Sequence, residues 1–180
     1  MFRGECIGQR TMQQQIHRKP DVAGEALWRF SLALYTRPGV AEALIALQDR
    51  AGCDVNLLLF ALWCGAAHGH RLDRAELAVA EAAIAPVARD IVGPVRQLRR
   101  DLKTAPAADL LDLRRRLLAL ELAAERRVQY RLAATASASL SDADRGEAAE
   151  ANLALTLGAE AQSQEAAVLR WALAALTRRG

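Results

Sequence analysis

The sequence predicts an all-α fold, a single-domain bundle of about seven or eight helices around a buried central helix. Apolar residues make up 52% of the 180 residues, whereas aromatic residues make up only 4%. The apolar content is carried mainly by Ala and Leu, which favour helices, while strands favour β-branched and aromatic residues. Apolar residues also recur at helical spacing through most of the chain. A chain of this length is long enough to bury one substantial core.

The predicted central helix spans residues 54–67, within the stretch DVNLLLFALWCGAAHGHRL. Its middle is apolar on every side, so it requires other helices around it. The apolar run from Leu57 to Ala67 is far shorter than the roughly 18–20 residues that cross a bilayer. Asp54 is a suitable N-cap, and Gly69 is a suitable left-handed residue to end the helix.

Two helices are predicted before this one, over residues 21–35 and 38–51. Asp21 is a suitable N-cap for the first, and the turn between them reads Thr-Arg-Pro-Gly, with Pro38 suited to the first position of the second helix. Residues 1–20 lack apolar periodicity, and we expect a disordered tail there. The predicted domain organisation is therefore a tail over 1–20 and a helical domain over 21–180.

After the central helix, Asp73 and Glu76 have the spacing of a capping box and predict a helix over residues 74–85. Pro86 must kink or restart this helix, after which helical register continues to Thr104. The longest predicted helix spans residues 106–140. Two further helices, over residues 147–157 and 163–176, follow a polar break at 137–146. The longest helix carries a near-heptad apolar stripe that predicts bundle packing, formed by Leu110, Leu113, Leu117, Leu120, Ala124 and Val128.

Three blocks of the sequence resemble a known family. They read LWRFSLALYTRPGVAEALIALQDRAGCDVNLLLFALWCG, PVRQLRRDLK and ELAAE. Together they resemble the family of small, uncharacterised, mostly proteobacterial proteins called domain of unknown function 2390, over roughly residues 26–131. The resemblance implies a bacterial, cytoplasmic helical protein, and it implies no activity.

The least ordinary feature of the long helix is a set of charged residues within its apolar arc. At about 100° per residue, Arg114, Glu121 and Glu125 fall between two sets of leucines. A buried charge needs a partner, and we expect a group such as Arg29 or His68 from another helix. Three interpretations stay open: a structural ion network, an interface with a partner chain, or a site where Glu121 and Glu125 act as metal ligands or acid–base groups.

A second candidate is basic. The 24 Lys and Arg exceed the 21 Asp and Glu only slightly, but between residues 89 and 131 there are 11 basic and 6 acidic residues. Such an excess attracts phosphate or acidic proteins. Nucleic-acid binding also favours aromatic residues beside the arginines, and the sequence places only Tyr130 there. The ordinary alternative is a solvated surface. The predicted basic surface comprises Arg96, Arg99, Arg100, Lys103, Arg115 and Arg116.

Other chemistry is not supported by the motifs. The chain has no glycine-rich phosphate loop, GxSxG, HExxH or CxxC motif. Its three cysteines have no paired spacing, which favours reduced thiols in the cytoplasm. The two histidines of HGH, His68 and His70, lack the further ligands that a zinc site requires. We expect no cofactor, no metal and no membrane partner.

These observations predict a non-enzymatic interaction or regulatory protein that acts through its basic helix faces or through an oligomeric face. Its partner would be another protein or a second copy of the chain, with nucleic acid as the weaker expectation. The alternative is an enzyme or small-ligand protein with a site around Arg114, Glu121 and Glu125.

Overall fold

A computed structural model describes residues 21–104, 110–136 and 144–177. These residues form no strand, and they confirm the predicted all-α bundle. A π-helical segment, Ala88–Val92, precedes α5, and a 3-10 segment, Gly158–Gln162, precedes α8. The described helices are α1 (Val22–Tyr35), α2 (Val40–Ala51), α3 (Val55–His68), α4 (Arg74–Val87), α5 (Gly93–Thr104), α6 (Leu110–Ala133), α7 (Arg145–Leu157) and α8 (Gln164–Thr177).

Helix α3 is the centre of the bundle, as predicted. Every residue from Asn56 to Ala66 is buried. One side of α3, with Leu58 and Leu62, packs into a cluster with residues of α1, α2, α7 and α8. The opposite side, with Phe60 and Trp63, packs into a second cluster with residues of α1, α4 and α6. The two clusters share this one helix, which explains why its sequence is apolar all round.

The helix ends follow the predicted local chemistry. Asp21, Asp54 and Asp73 accept hydrogen bonds from free backbone N–H groups at the starts of α1, α3 and α4. At Asp73 the capping box is complete, because the Glu76 side chain also accepts from the Asp73 N–H. Gly69 ends α3 with φ of 66°, a conformation that glycine adopts without the steric penalty of a Cβ.

Three predicted boundaries are wrong. Helix α2 begins at Val40, not Pro38, because Gly39 at its N-cap has φ of 78°. Helix α4 continues through Pro86, and the break comes afterwards, at the π-helical segment. Helix α6 ends at Ala133, and the chain turns at 134–136. The remaining predicted ends of that long helix, at 106–109 and 137–140, lie outside the described residues, as does the predicted tail over 1–20.

The apolar stripe of α6 is only partly in the core. The second half of the helix buries Val128 and Leu132, and Gln129 anchors it through hydrogen bonds with Ser31 of α1 and Asn56 of α3, both 3.1 Å. The first half, from Leu110 to Leu122, buries only Leu117 and Glu121. The prediction that the whole stripe packs in the bundle is therefore wrong for the first half.

No helix within the described ranges is both long enough and apolar enough to cross a membrane.

Candidate functional site

Helix α5 and the first half of α6 form an antiparallel pair, which we call the α5–α6 hairpin (Gly93–Thr104 and Leu110–Leu122). Four charged side chains join the two helices. Arg96 donates from Nε to Glu121 Oε1 at 3.1 Å and from Nη2 to Glu125 Oε1 at 2.6 Å. Arg99 donates from Nε to Glu121 Oε2 and from Nη2 to Glu121 Oε1, the latter at 3.3 Å. The two carboxylates are thus held by two guanidinium groups of the opposite helix.

The two carboxylates of this network differ in their acidity. Burial raises the pKa of Glu121, but hydrogen bonds from Arg99 and Arg96 outweigh burial and bring its pKa below the ordinary value. Burial also raises the pKa of Glu125, and its one hydrogen bond, from Arg96, does not cancel that effect. Desolvation and charge pairing therefore act in opposite directions at both sites, and pairing prevails only where two arginines contribute.

Neither of the two partners that we expected for these carboxylates supplies the contact. Arg29 lies on α1, mostly exposed, and its Nε donates to Glu25 at 3.3 Å. His68 is the last residue of α3, and its ring meets the Trp63 ring edge-on at 4.5 Å between centroids. The carboxylates pair instead with Arg96 and Arg99, two residues of the predicted basic surface.

Arg114, the third residue of the predicted charged set, is separate from this network. It forms no ion pair with any described residue and lines a groove of about 340 Å³ on the side of the hairpin. We call this the arginine–leucine groove; its lining residues are Arg99, Leu111, Arg114, Arg115 and Leu118. The structure thus brings Arg114 together with Arg99, whose guanidinium also holds Glu121.

The predicted basic surface is largely engaged in ion pairs. Besides Arg96 and Arg99, Arg100 donates to Asp49 of α2 at 3.2 Å. Arg115 and Arg116 both pair with Asp112, at 3.4 and 2.7 Å, with side chains that remain mostly exposed. The side chain of Lys103 lies outside the described residues. Less free positive charge is therefore available on α5 than its sequence indicates.

Exposed leucines distinguish the hairpin from an ordinary solvated surface. On the first half of α6, five leucines keep 44–58% of their surface exposed, and Leu98 of α5 keeps 50%. Three of these leucines lie near one side of the helix and two near the other, since residues seven apart share a face. The first set is Leu111, Leu118 and Leu122, and the second is Leu113 and Leu120.

One aromatic cluster was not predicted from the sequence. The guanidinium of Arg126 lies 5.7 Å from the centre of the Trp28 ring and 5.5 Å from that of Tyr130. It also donates to Glu25, which accepts a second hydrogen bond from the Tyr130 hydroxyl at 2.7 Å. The sequence places Tyr130 near the arginines but gives no signal for Trp28, because α1 reaches α6 only through the tertiary fold. Arg126, Glu25 and Tyr130 are thus paired with one another by hydrogen bonds.

The histidines and cysteines do not assemble into a metal centre among the described residues, where no group of three His, Cys, Asp or Glu side chains could hold an ion. His70 pairs through Nε2 with Glu76 at 2.9 Å. Burial raises the pKa of the Cys64 thiol to about 12, which disfavours its thiolate.

Comparison with known proteins places most of these elements in one family. A family model described as "Protein of unknown function (DUF2390)" matches residues 26–132. This range includes α1 to α5 almost completely and α6 to its penultimate residue. Neither the curated proteins nor the solved structures contain a significant match to the chain.

Proposed function

We propose that this chain, which belongs to the family of proteins of unknown function DUF2390, is a non-enzymatic interaction protein. It binds a partner protein through the α5–α6 hairpin. The proposed location of this function is the cytoplasm.

The observation that carries the proposal is the exposure of apolar side chains on the hairpin. A folded chain gains nothing by leaving five leucines of one short helical segment half in water. Three of these leucines share one side of α6, and contiguous apolar surface is typical of protein–protein interfaces, whereas singly scattered apolar residues are ordinary. Arginines beside the leucines fit the same function, since arginine is enriched at the centres of interfaces.

The alternative site around Arg114, Glu121 and Glu125 receives less support. A metal ligand or a general acid–base group needs a carboxylate that can reach its ion or substrate. Glu121 accepts from two arginines and is almost fully buried, and Glu125 accepts from Arg96. Both carboxylates are therefore engaged, and Arg114, which lines the groove beside Arg99, forms no ion pair with either of them. No observation on the described residues favours an enzymatic site over a docking surface.

Nucleic acid is also less favoured than a protein. Most of the predicted basic residues form ion pairs within the chain, which reduces the charge available to phosphate. Their nearest exposed neighbours on the hairpin are leucines, which offer no ring for bases to stack on. The absence of retention on heparin even at low ionic strength would agree with this ranking.

The proposal is tested by placing a photo-crosslinking amino acid at Leu118 and analysing crosslinks in cells that express the protein. Val79 of α4 is the control position, because it is 60% exposed but lies outside the hairpin. We expect a discrete crosslinked protein from position 118 and none from position 79. The absence of a product at 118, or the same products at both positions, would contradict the proposal.

A further inference from the structure

We propose that the arginine–leucine groove binds one class of partner, an amphipathic α-helix that carries acidic residues beside its apolar stripe. This inference rests on the proposed function, because it names the partner that the hairpin would dock. It is carried by the composition of the groove, in which two exposed leucines are surrounded by three guanidinium groups.

The two leucines of the groove have the spacing at which apolar residues recur along an amphipathic helix. Leu111 and Leu118 are seven residues apart, which places them about 10.5 Å apart along the axis of α6 at 1.5 Å per residue. A partner helix presents apolar side chains at the same interval when they recur at positions i, i+4 and i+7. Two leucines at this spacing match positions i and i+7 of such a stripe, which are about two turns apart.

The charge of the groove selects acidic residues at its edges. Among the described residues, the groove, the network behind it and the adjoining ion pairs of Asp112 contain five guanidinium groups, from Arg96, Arg99, Arg114, Arg115 and Arg116, against three carboxylates, from Glu121, Glu125 and Asp112. Two positive charges are therefore in excess. Arg114 has no ion-pair partner among the described residues, and Arg115 has only a 3.4 Å pair in which both side chains are mostly exposed. Guanidinium groups bind carboxylates in a two-bond geometry, so these two residues are the ones that a partner carboxylate would reach.

The same charge disfavours a second copy of the chain as the occupant. A two-fold interface brings the same surface together from both molecules, so Arg114 and Arg115 of one copy would face those of the other. Like charges in a closing interface oppose association.

The undescribed segments of the chain are also poorly suited. Residues 1–20 contain four Lys or Arg and one Glu, the last three residues are Arg-Arg-Gly, and the stretches 105–109 and 137–143 contain one Asp each. None of these stretches has the acidic composition that the groove would select, and the partner is therefore expected to be another protein.

The test is a selection of displayed helical peptides on the full-length protein. Leucines are fixed at positions i, i+4, i+7 and i+11, and the flanking positions vary among Glu, Lys and Ser, in a peptide of about 15 residues. We expect enrichment of Glu at the flanking positions. The best binder, labelled with fluorescein, should then lose affinity as salt is added, since screening weakens the exposed pairs.

Two charge-reversal variants locate the binding. Arg114→Glu should weaken the selected peptide by about tenfold or more, because it turns attraction into repulsion at the edge of the groove. Arg127→Glu is the matched control, an exposed arginine of the same helix outside the groove, and it should change the affinity by less than about twofold. Circular dichroism melting of both variants verifies that they fold.

Every other outcome overturns the inference. Enrichment of Lys, no enrichment, or equal effects of the two variants would each mean that the groove does not select an acidic helix. If crosslinking at Leu118 still yields a partner protein, only this inference fails and the proposed function stands. If crosslinking also yields nothing, both fail. A labelled single-stranded RNA that binds with Arg114 dependence, when no peptide does, would assign the groove to nucleic acid.

Discussion

Glu121 and Glu125 lie one helical turn apart, yet their surroundings move their pKa values in opposite directions. Burial raises the pKa of both groups, but Glu121 accepts from both Arg96 and Arg99, whereas Glu125 accepts from Arg96 alone and its pKa is raised further by the charge of Glu121. For Glu121 the pairs favour the charged form beyond the cost of burial. For Glu125 the single hydrogen bond from Arg96 does not outweigh burial.

This difference predicts unequal effects of two matched substitutions. Glu121→Gln should reduce the free energy of unfolding at pH 7 by about 3 kcal/mol, because it removes the carboxylate that two partly buried arginines share. Glu125→Gln should cost less than about 1 kcal/mol, since burial opposes its charged form and offsets the hydrogen bond from Arg96. Urea denaturation of both variants measures the two values. An equal loss for both, or a larger one for Glu125→Gln, would be incompatible with the network as described.

The pH dependence follows from the lowered pKa of Glu121. A carboxyl group whose pKa is lower in the folded than in the unfolded protein contributes stability that is present above the unfolded pKa, about 4.3, and is lost as the pH falls through the folded pKa. The stability difference between the wild type and Glu121→Gln should therefore shrink as the pH is lowered below about 4. A difference that stays constant from pH 7 to pH 3 would show that the charge of Glu121 is not what stabilises the protein.

Asn152 supports the exit of the central helix in a way that the sequence did not reveal. It is fully buried on α7, donates to the carbonyl oxygens of Ala61 and His70 at 2.9 and 2.8 Å, and accepts from the Leu72 N–H at 2.8 Å. Asn152→Leu should therefore cost about 3 kcal/mol, because it leaves buried backbone groups without partners. Thr156→Val, which removes a bond within the same helix, should cost about 1 kcal/mol or less. Thermal unfolding that ranks the two in the opposite order would refute this role.

At the scale of elements, the local signals predicted the helices well and their packing less well. The caps at Asp21, Asp54 and Asp73 depend on residues within one turn, so the sequence contains all the information needed. The partners of Glu121 are Arg99 and Arg96, which lie 22 and 25 residues away on another helix. Which residues pair with Glu121 depends on how α5 and α6 are rotated about their axes. The sequence therefore predicted that Glu121 needs a partner but named Arg29 or His68.

Gly65 lies at a contact between two helices that the sequence alone does not reveal. From the sequence it weakens the end of the central helix, but in the fold it lies where α3 crosses α7. A Cβ at this position would be 2.4 Å from the backbone nitrogen and Cα of Ala149. The absence of a side chain at Gly65 therefore allows two helix backbones to approach closely. This contact offsets the low helix propensity of glycine.

Gly65→Ala should therefore destabilise the protein, by about 3 kcal/mol, since the clash is with backbone that cannot rotate away. Gly93→Ala is the matched control in a less crowded helix, where the new Cβ would be 3.3 Å from the Ala88 carbonyl oxygen, and its effect should stay within about 1 kcal/mol. Denaturant midpoints of the two variants measure the difference. A Gly65→Ala protein as stable as the control would mean that α3 and α7 are not in this close contact.

At the scale of the whole molecule, the leucine stripe of α6 divides into a half that folds the protein and a half that the fold leaves exposed. Val128 and Leu132 join the core, while Leu113 and Leu120, which have the same periodicity in the sequence, remain about half exposed. A periodic pattern indicates an apolar face but not what covers it. The sequence therefore predicted the helix and its apolar face. Only the arrangement of the other helices shows that, among the described residues, the leucines of the first half remain exposed.

The central claim is that the leucines of the hairpin serve binding and not folding. The most direct test combines Leu118→Asp with a photo-crosslinking residue at Leu111, and measures the melting temperature and the crosslink yield of the same protein. Exposed positions usually change stability by less than about 0.5 kcal/mol, which is about 2 °C in a chain of this size. We predict a melting temperature within about 2 °C of the wild type and the loss of the partner crosslink. A protein that unfolds on this substitution, or one that keeps the crosslink, would contradict the claim.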